Sequence, residues 1–416
     1  MLDVAAACLC VTALLAYLNH RFVGLPSTVG VMAIALVLSL AVIALDATGI
    51  SPGLHASIAR VVRGIDFGKV LLEGMLSLLL FAGALQVRAG AMKHHAWHIA
   101  ALAVGGTLVS TLAIGFAMWR LLPSMGLALP LVYCLVFGAL ISPTDPVAVM
   151  GIMRSAGAPA SVETVITGES LFNDGVGVVI FLLMAGVAAT GVTPGAAEGA
   201  LLLAREAGGG ILFGLALGWV TYALLKSIDE YQVEVMLTLA AVIGGYALAS
   251  HLHVSGPLAM VVAGIIVGNR GRELAMSDRT RSYVDMFWEL VDEILNAVLF
   301  VLLGIEILLF PFRAPVLMAG AAAIAVTLVA RLLTAGLPAL VGGRAWGLPR
   351  GAWMILTWGA LRGGISVALA LSLPHGPERD IVLSLTYCVV VVSILVQGLT
   401  LGPLVRRICM ARAKAD

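Results

Sequence analysis

Charge is scarce in this sequence. Asp, Glu, Lys and Arg make up 11% of its 416 residues, where a soluble domain carries about 25%. Hydrophobic residues reach 61%. A chain this apolar cannot cover its surface with polar groups, so a water-soluble globule is excluded and lipid must cover it instead. The formal net charge of +1 gives no argument for a nucleic-acid partner. Cysteine is sparse as well. Cys8, Cys10, Cys134, Cys388 and Cys409 are odd in number and lack paired metal spacing, which argues against a disulfide framework and leaves them as small hydrophobes. No P-loop, Ser-His-Asp set or Gly-rich nucleotide fingerprint occurs, so an enzyme has no visible chemistry here and no cofactor is expected. No basic residue precedes the first apolar stretch; it makes a poor signal peptide and is expected to stay as a first helix.

What is present is apolar length. A membrane-crossing helix needs about 20 mostly apolar residues, and about thirteen segments meet that rule. Their limits are 4–20, 27–46, 67–86, 95–121, 129–154, 162–189, 199–226, 230–251, 254–269, 279–310, 315–342, 350–373 and 379–408. The connection at 47–66 is the longest, and no soluble domain is expected after the last segment. The predicted fold class is an all-α integral membrane protein. With the N-terminus outside, 15 of the 24 Lys and Arg residues fall on the inner side and 7 on the outer; Arg331 and Arg362 lie inside apolar segments. That bias predicts N-out, C-in topology.

Two segments are interrupted at matching positions. The fifth carries Ser142-Pro143-Thr144-Asp145-Pro146, whose two prolines forbid a continuous helix. The twelfth carries Gly359-Ala360-Leu361-Arg362-Gly363-Gly364. Matching breaks in two halves predict an inverted-repeat transporter, with its site where broken helices 5 and 12 cross at mid-membrane.

A charge in mid-membrane costs about 2.5–3.5 kcal/mol on insertion scales, so such charges are functional candidates. Here they are Asp145, Glu169, Asp174, Arg331 and Arg362. In the sixth segment Glu169 and Asn173 are i,i+4 neighbours, as are Ser170 and Asp174. Two acids, an amide and a hydroxyl therefore share adjoining strips of one helix, facing carbonyls freed by the break beside Asp145. These are hard oxygen ligands suited to a small alkali cation, and no His/Cys set suggests a transition metal. Three acids against two arginines leave one excess negative charge, which must hold either a cation or a proton. That either/or occupancy is an exchange mechanism. Glu169 is the expected partner of Arg362, leaving Asp145 and Asp174 to titrate. Arg331 is read as a helix brace or a snorkelling side chain.

Other polar residues have plainer readings. His94, His95 and His98 read as a snorkelling interfacial cluster at the mouth of the fourth helix, with a metal or pH-sensing pair at 94 and 98 as the alternative, and His251 and His253 as a solvated loop. Asp285, Glu289, Asp292 and Glu293 read as a solvated or cavity-lining face, with a cation funnel as the alternative. Glu73 is near the end of the third segment and within reach of the interface.

Thr144-Asp145-Pro146, Gly168-Glu169-Ser170-Leu171-Phe172-Asn173-Asp174-Gly175 and Trp358-Gly359-Ala360-Leu361-Arg362-Gly363-Gly364 resemble the NhaP-type sodium/proton antiporters, prokaryotic relatives of the animal Na⁺/H⁺ exchangers. The segment from Phe287-Trp288-Glu289 to Leu303-Gly304-Ile305-Glu306 is also similar, and the likeness covers nearly the whole chain. It implies a thirteen-helix homodimer in a prokaryotic cell membrane. It also implies a transport domain of helices 4–6 (95–189) and 11–13 (315–408), working against a dimerisation domain of helices 1–3 (4–86) and 7–10 (199–310). Asp145 and Asp174 would bind the ion, helped by Glu169, Ser170 and the Thr144 backbone. Asn173 and a Glu169–Arg362 pair would be structural supports. The long cytosolic tail of some members is not expected.

The expected function is exchange of a monovalent cation for H⁺. The residue chemistry leaves Na⁺ and Li⁺, or K⁺, open as the cation. A passive cation channel and a membrane-embedded hydrolase or scaffold are the competing classes. Asn173 stands where the electrogenic branch of the superfamily has an Asp, so the resemblance implies electroneutral one-for-one exchange.

Overall fold

The structure, a computed structural model, describes residues 2–48, 75–87, 89–191, 195–310, 313–343 and 345–413. All regular structure among them is helical. The elements are α1 (Leu2–Leu18), α2 (Ser27–Ala47), α3 (Leu76–Leu85), α4 (Ala89–Ala100), α5 (Thr107–Leu121), α6 (Leu131–Ile141), α7 (Pro146–Ala156), α8 (Ala160–Thr190) and α9 (Ala196–Lys226). They continue with α10 (Tyr231–His251), α11 (Gly256–Ile266), α12 (Asp278–Glu306), α13 (Ala314–Arg331), α14 (Leu337–Gly342), α15 (Ala352–Trp358), α16 (Gly364–Leu371), α17 (Pro377–Val392) and α18 (Gly398–Ala413), with a single turn at Arg272–Leu274 between α11 and α12.

Each expected segment has a helical counterpart among the described residues. Among the described residues, eight helices are long and apolar enough to cross a membrane. Of the expected third segment only the C-terminal part is described; its start, Glu73 and most of the 47–66 connection lie outside the described residues. The fourth helix begins at Ala89, earlier than expected, so the histidines stand within it. His95 is therefore buried rather than snorkelling, and His98 lies 4.6 Å from the Trp346 ring. Large apolar side chains such as Leu201, Leu212 and Val341 are exposed, as expected where lipid replaces water as solvent.

Local chemistry sets the helix ends. Ser255 and Ser277 cap α11 and α12, each accepting the amide of the third residue on. Gly191, in the left-handed region, closes α8. Pro146 opens α7 at the first helical position, where its missing N–H costs nothing. Between Ile141 and Pro146 the chain is not helical, and neither is Gly359–Gly363 between α15 and α16. Both predicted interruptions are thus present.

Packing falls into neighbourhoods. α2 and α1 lie on α12, and α3 and α9 on α11. Elsewhere α5 and α8 flank α6, while α13 packs on α17 and α5. The α5–α6 approach is close enough that a Cβ at Gly138 would collide with the Thr111 carbonyl oxygen. Gly138→Ala should therefore push apart the helices that hold the first break. The expected loss is about 1–3 kcal/mol, seen as a lower melting temperature in detergent. Gly244→Ala, with open space around its position, should match the parent or slightly exceed it.

Candidate functional site

The two interruptions meet. The amide of Asp145 donates to the Leu361 carbonyl at 2.8 Å, one break to the other. The Arg362 guanidinium donates to the carbonyls of Ser142 and Pro143, the latter at 2.6 Å. Those oxygens lie just past the end of α6, where carbonyls lack helical partners and carry partial negative charge. The Arg362 amide donates to Ser393 Oγ at 2.9 Å. Ser393 begins a π-helical turn, Ser393–Gln397, within the last transmembrane rod, a type of local irregularity common at functional positions.

On α8, Glu169, Ser170, Asn173 and Asp174 are all buried. Asn173 holds Thr144 by both ends of its amide: it accepts from the Thr144 backbone at 3.1 Å and donates to Thr144 Oγ1 at 3.0 Å. Thr144 Oγ1 and Ser170 Oγ share a further hydrogen bond of 2.7 Å. The side chains of the sixth segment therefore clamp the first break. A Cβ at Gly177 would meet the Pro143 ring, so glycine there lets the break lie directly on α8. Asp174 is 3% exposed and within electrostatic reach of Asp145 and Arg362.

Asp145 is half-buried and precedes α7, where a carboxylate interacts favourably with the helix N-terminus. Its carboxylate lies against Gly363, beside the N-terminus of α16, so closely that a Cβ at 363 would collide with it. The crossing thus turns two helix N-termini toward one acid, while the Arg362 cation covers the C-terminus of α6.

One expected pairing is corrected. Glu169 pairs with Arg331, not Arg362. Arg331 engages both carboxylate oxygens, Oε2 at 2.7 Å, and its Nε donates to the Leu356 carbonyl at 3.0 Å. The cause is position. Arg331 ends α13 opposite Glu169, whereas Arg362 sits inside the break and is taken up by its freed carbonyls. Arg331 is a brace, as one of its two readings held, and is 6% exposed rather than snorkelling.

All eight candidates are gathered at the crossing: Thr144, Asp145, Glu169, Ser170, Asn173, Asp174, Arg331 and Arg362. The carbonyls freed by the first break were expected and prove to be those of Ser142 and Pro143; the Leu361 carbonyl and the Ser393 hydroxyl were not anticipated. Ser393 sits in a run of valines and carries no sequence signal, although the prolines at 143 and 146 do foretell free carbonyls.

A cavity of about 420 Å³ enters from one side. Glu289, Asp292 and Glu293 line it with Gln86, Arg154 and Asn296. The acidic run of α12 therefore faces a cavity, while Asp285 is taken by Arg272. Asp292, at the buried end, accepts from Asn296 Nδ2 at 3.1 Å and is within electrostatic reach of Asp145. Among the described residues no cluster of His, Cys, Asp and Glu has metal-binding geometry.

The sodium/hydrogen exchanger, transmembrane, family matches residues 10–407. The chain is 54% identical over 412 residues to the Na(+)/H(+) antiporter NhaP of Pseudomonas aeruginosa, covering 98% of this chain and 97% of that one. It is 33% identical over 397 residues to the Na(+)/H(+) antiporter NhaH of Halobacillus aidingensis, 93% of each. In fold it is similar to the sodium proton antiporter MjNhaP1 of Methanocaldococcus jannaschii, with a TM-score of 0.75 over 98% of both chains at 19% identity. A match that runs from residue 10 to residue 407, on a multi-pass helical fold shared end to end with a solved antiporter, makes this chain a member of the transmembrane sodium/hydrogen exchanger family.

Proposed function

We propose that this chain is a secondary antiporter exchanging Na⁺ for H⁺ one for one, with both competing for Asp145 and Asp174. The observation that carries the reading is the charge balance at the crossing. Glu169 and Arg331 neutralise each other. Among the described residues at the crossing, what remains is Asp145, Asp174 and the Arg362 guanidinium, already engaged by two carbonyls. One negative charge is left in a low-dielectric setting, and it requires a cation or a proton. Thr144 and Ser170 add hydroxyl oxygens suited to an alkali ion. Relatives named as Na(+)/H(+) antiporters support Na⁺ as the cation, with Li⁺ as a second substrate.

In this reading the acidic cavity beside α12 is the cytoplasmic entrance, consistent with N-out, C-in topology and residence in the prokaryotic inner membrane as a homodimer. Helices 4–6 and 11–13 carry the site and move against helices 1–3 and 7–10. The packing neighbourhoods largely respect that division. Moving Asn173, Thr144 and Ser170 as one hydrogen-bonded unit keeps the ion ligands together during the motion.

Reconstituted protein should show Na⁺-driven proton flux when Na⁺, Li⁺ and K⁺ are supplied separately, and flux with K⁺ alone would reassign the cation. Asp145→Ala and Asp174→Ala should each abolish exchange in folded protein, and near-normal transport by either would remove that acid from the site.

Proton competition fixes the sign of the pH effect. Protons occupy the carboxylates as pH falls, so apparent Na⁺ affinity should drop, by up to about tenfold per pH unit for one competing proton. An affinity that stays flat across the titration range would exclude competition.

Asn173 cannot ionise and Glu169 stays paired, so the site carries equal charge with Na⁺ or with H⁺ bound. Na⁺ uptake under a clamped K⁺/valinomycin potential at fixed pH gradient should therefore be insensitive to voltage. A rate that scales with the potential would rule out one-for-one exchange.

A further inference from the structure

The helix that floors the acidic cavity also carries an acid at its other end. On α12 the positions Asp292, Asn296, Leu299, Leu303 and Glu306 follow spacings of four and three residues, which puts them on one stripe. Asp292 and Asn296 line the large cavity. Leu299 packs on Gly364, the first residue of α16, beside Gly363 and the Asp145 carboxylate. Farther along, Leu299, Leu303 and Glu306 line a second cavity against Gly364, Val367 and Leu371 of α16. That cavity holds about 10 Å³, barely room for one water. Along this stripe an open acidic vestibule approaches the crossing from one side, its Asp292 within electrostatic reach of Asp145. A leucine plug and then a buried acid occupy the other. The two acids are about 21 Å apart at 1.5 Å per residue.

Glu306 is 5% exposed and makes no hydrogen bond or ion pair with a described residue. Arg379 is within its electrostatic reach but does not pair with it; instead its Nη2 donates to the Leu371 carbonyl at 3.1 Å, and its Nε is buried without a partner. The Tyr387 hydroxyl, electrostatically coupled to Glu306, is also buried without a partner. A buried polar group left without a partner is destabilising. Two buried donors without partners beside a 5% exposed carboxylate that makes no hydrogen bond with a described residue, at a seam between α12 and the elements bearing the broken helix, mark a place whose polar partners come with another conformation or with an ion.

We propose that Glu306 is the access carboxylate for the cation on the face opposite the acidic cavity, the counterpart of Asp292 across the Leu299–Leu303 plug. When α16 moves off α12, the plug parts and Glu306 faces the opened path. It attracts the alkali cation from that face and passes it along the α12 stripe to Asp145 and Asp174. Arg379 is the counter-charge that tempers this attraction. The inference rests on the exchange reading above.

The test separates the two faces. Right-side-out and everted membrane vesicles from a host lacking its own antiporters expose one face each to radioactive Na⁺, and half-saturation is measured on both. Glu306→Gln keeps the shape and removes the charge. It should raise half-saturation by roughly tenfold, equivalent to about 1.4 kcal/mol, on the face away from Glu289 and Glu293, and shift the other face far less. Arg379→Gln should lower half-saturation on that same face, and it decides the matter if Glu306→Gln fails to assemble. Glu306→Asp should recover part of the loss. Equal shifts on both faces, or no shift in either charge-removing variant, would overturn the role of Glu306. Wild-type vesicles without Na⁺-coupled proton movement would overturn the exchange reading itself, a distinguishable result.

Discussion

A helix interrupted in the middle of a bilayer strands amides and carbonyls where no water can reach them, and only protein can satisfy them. Here each interruption satisfies the other. The amide of Asp145 reaches the Leu361 carbonyl, and the Arg362 guanidinium reaches back to Ser142 and Pro143. Neither break is tenable alone. Their mutual satisfaction fixes where α6, α7, α15 and α16 cross, and that crossing decides which side chains can gather round it. The α8 clamp through Asn173 then sets the rotation of the first break.

Charge placement follows from the same constraint. Arg362 serves backbone oxygens, so it is not free to neutralise Glu169, and a second guanidinium is required. Arg331 supplies it from α13, with a bidentate grip and a backbone carbonyl of its own, the geometry in which a buried pair best offsets its desolvation. The two arginines thus divide the work: one stabilises the irregular backbone and the other removes Glu169 from the titrating set.

The sequence exposed much of this because membranes make certain residues conspicuous. Prolines at 143 and 146 and an Asp between them are unambiguous in an apolar segment, and the Glu-Ser-x-x-Asn-Asp run places its polar groups by helical spacing alone. Segment limits came within a few residues where Pro, Gly and Ser punctuate the chain, and drifted at Ala89, where helix runs on through His94 and His95 without such a signal. Which arginine meets Glu169 was not legible. Both lie in apolar surroundings more than 150 positions away in the chain, and the choice depends on tertiary distance and on carbonyls that no periodicity reveals. The acidic run of α12 was visible as a face, but only packing told cavity from solvent.

The large cavity has an electrical consequence. Water filling about 420 Å³ beside α12 carries a high dielectric far into the protein, so little voltage falls across that depth. The transmembrane drop is then concentrated in the dry stretch from Leu299 past Leu303 and the buried Glu306, and the local field there exceeds the average across the bilayer. The leucine plug is then both a steric barrier and part of the insulating layer of a thin capacitor, and a charge crossing that layer feels most of the membrane potential over a span much shorter than the bilayer.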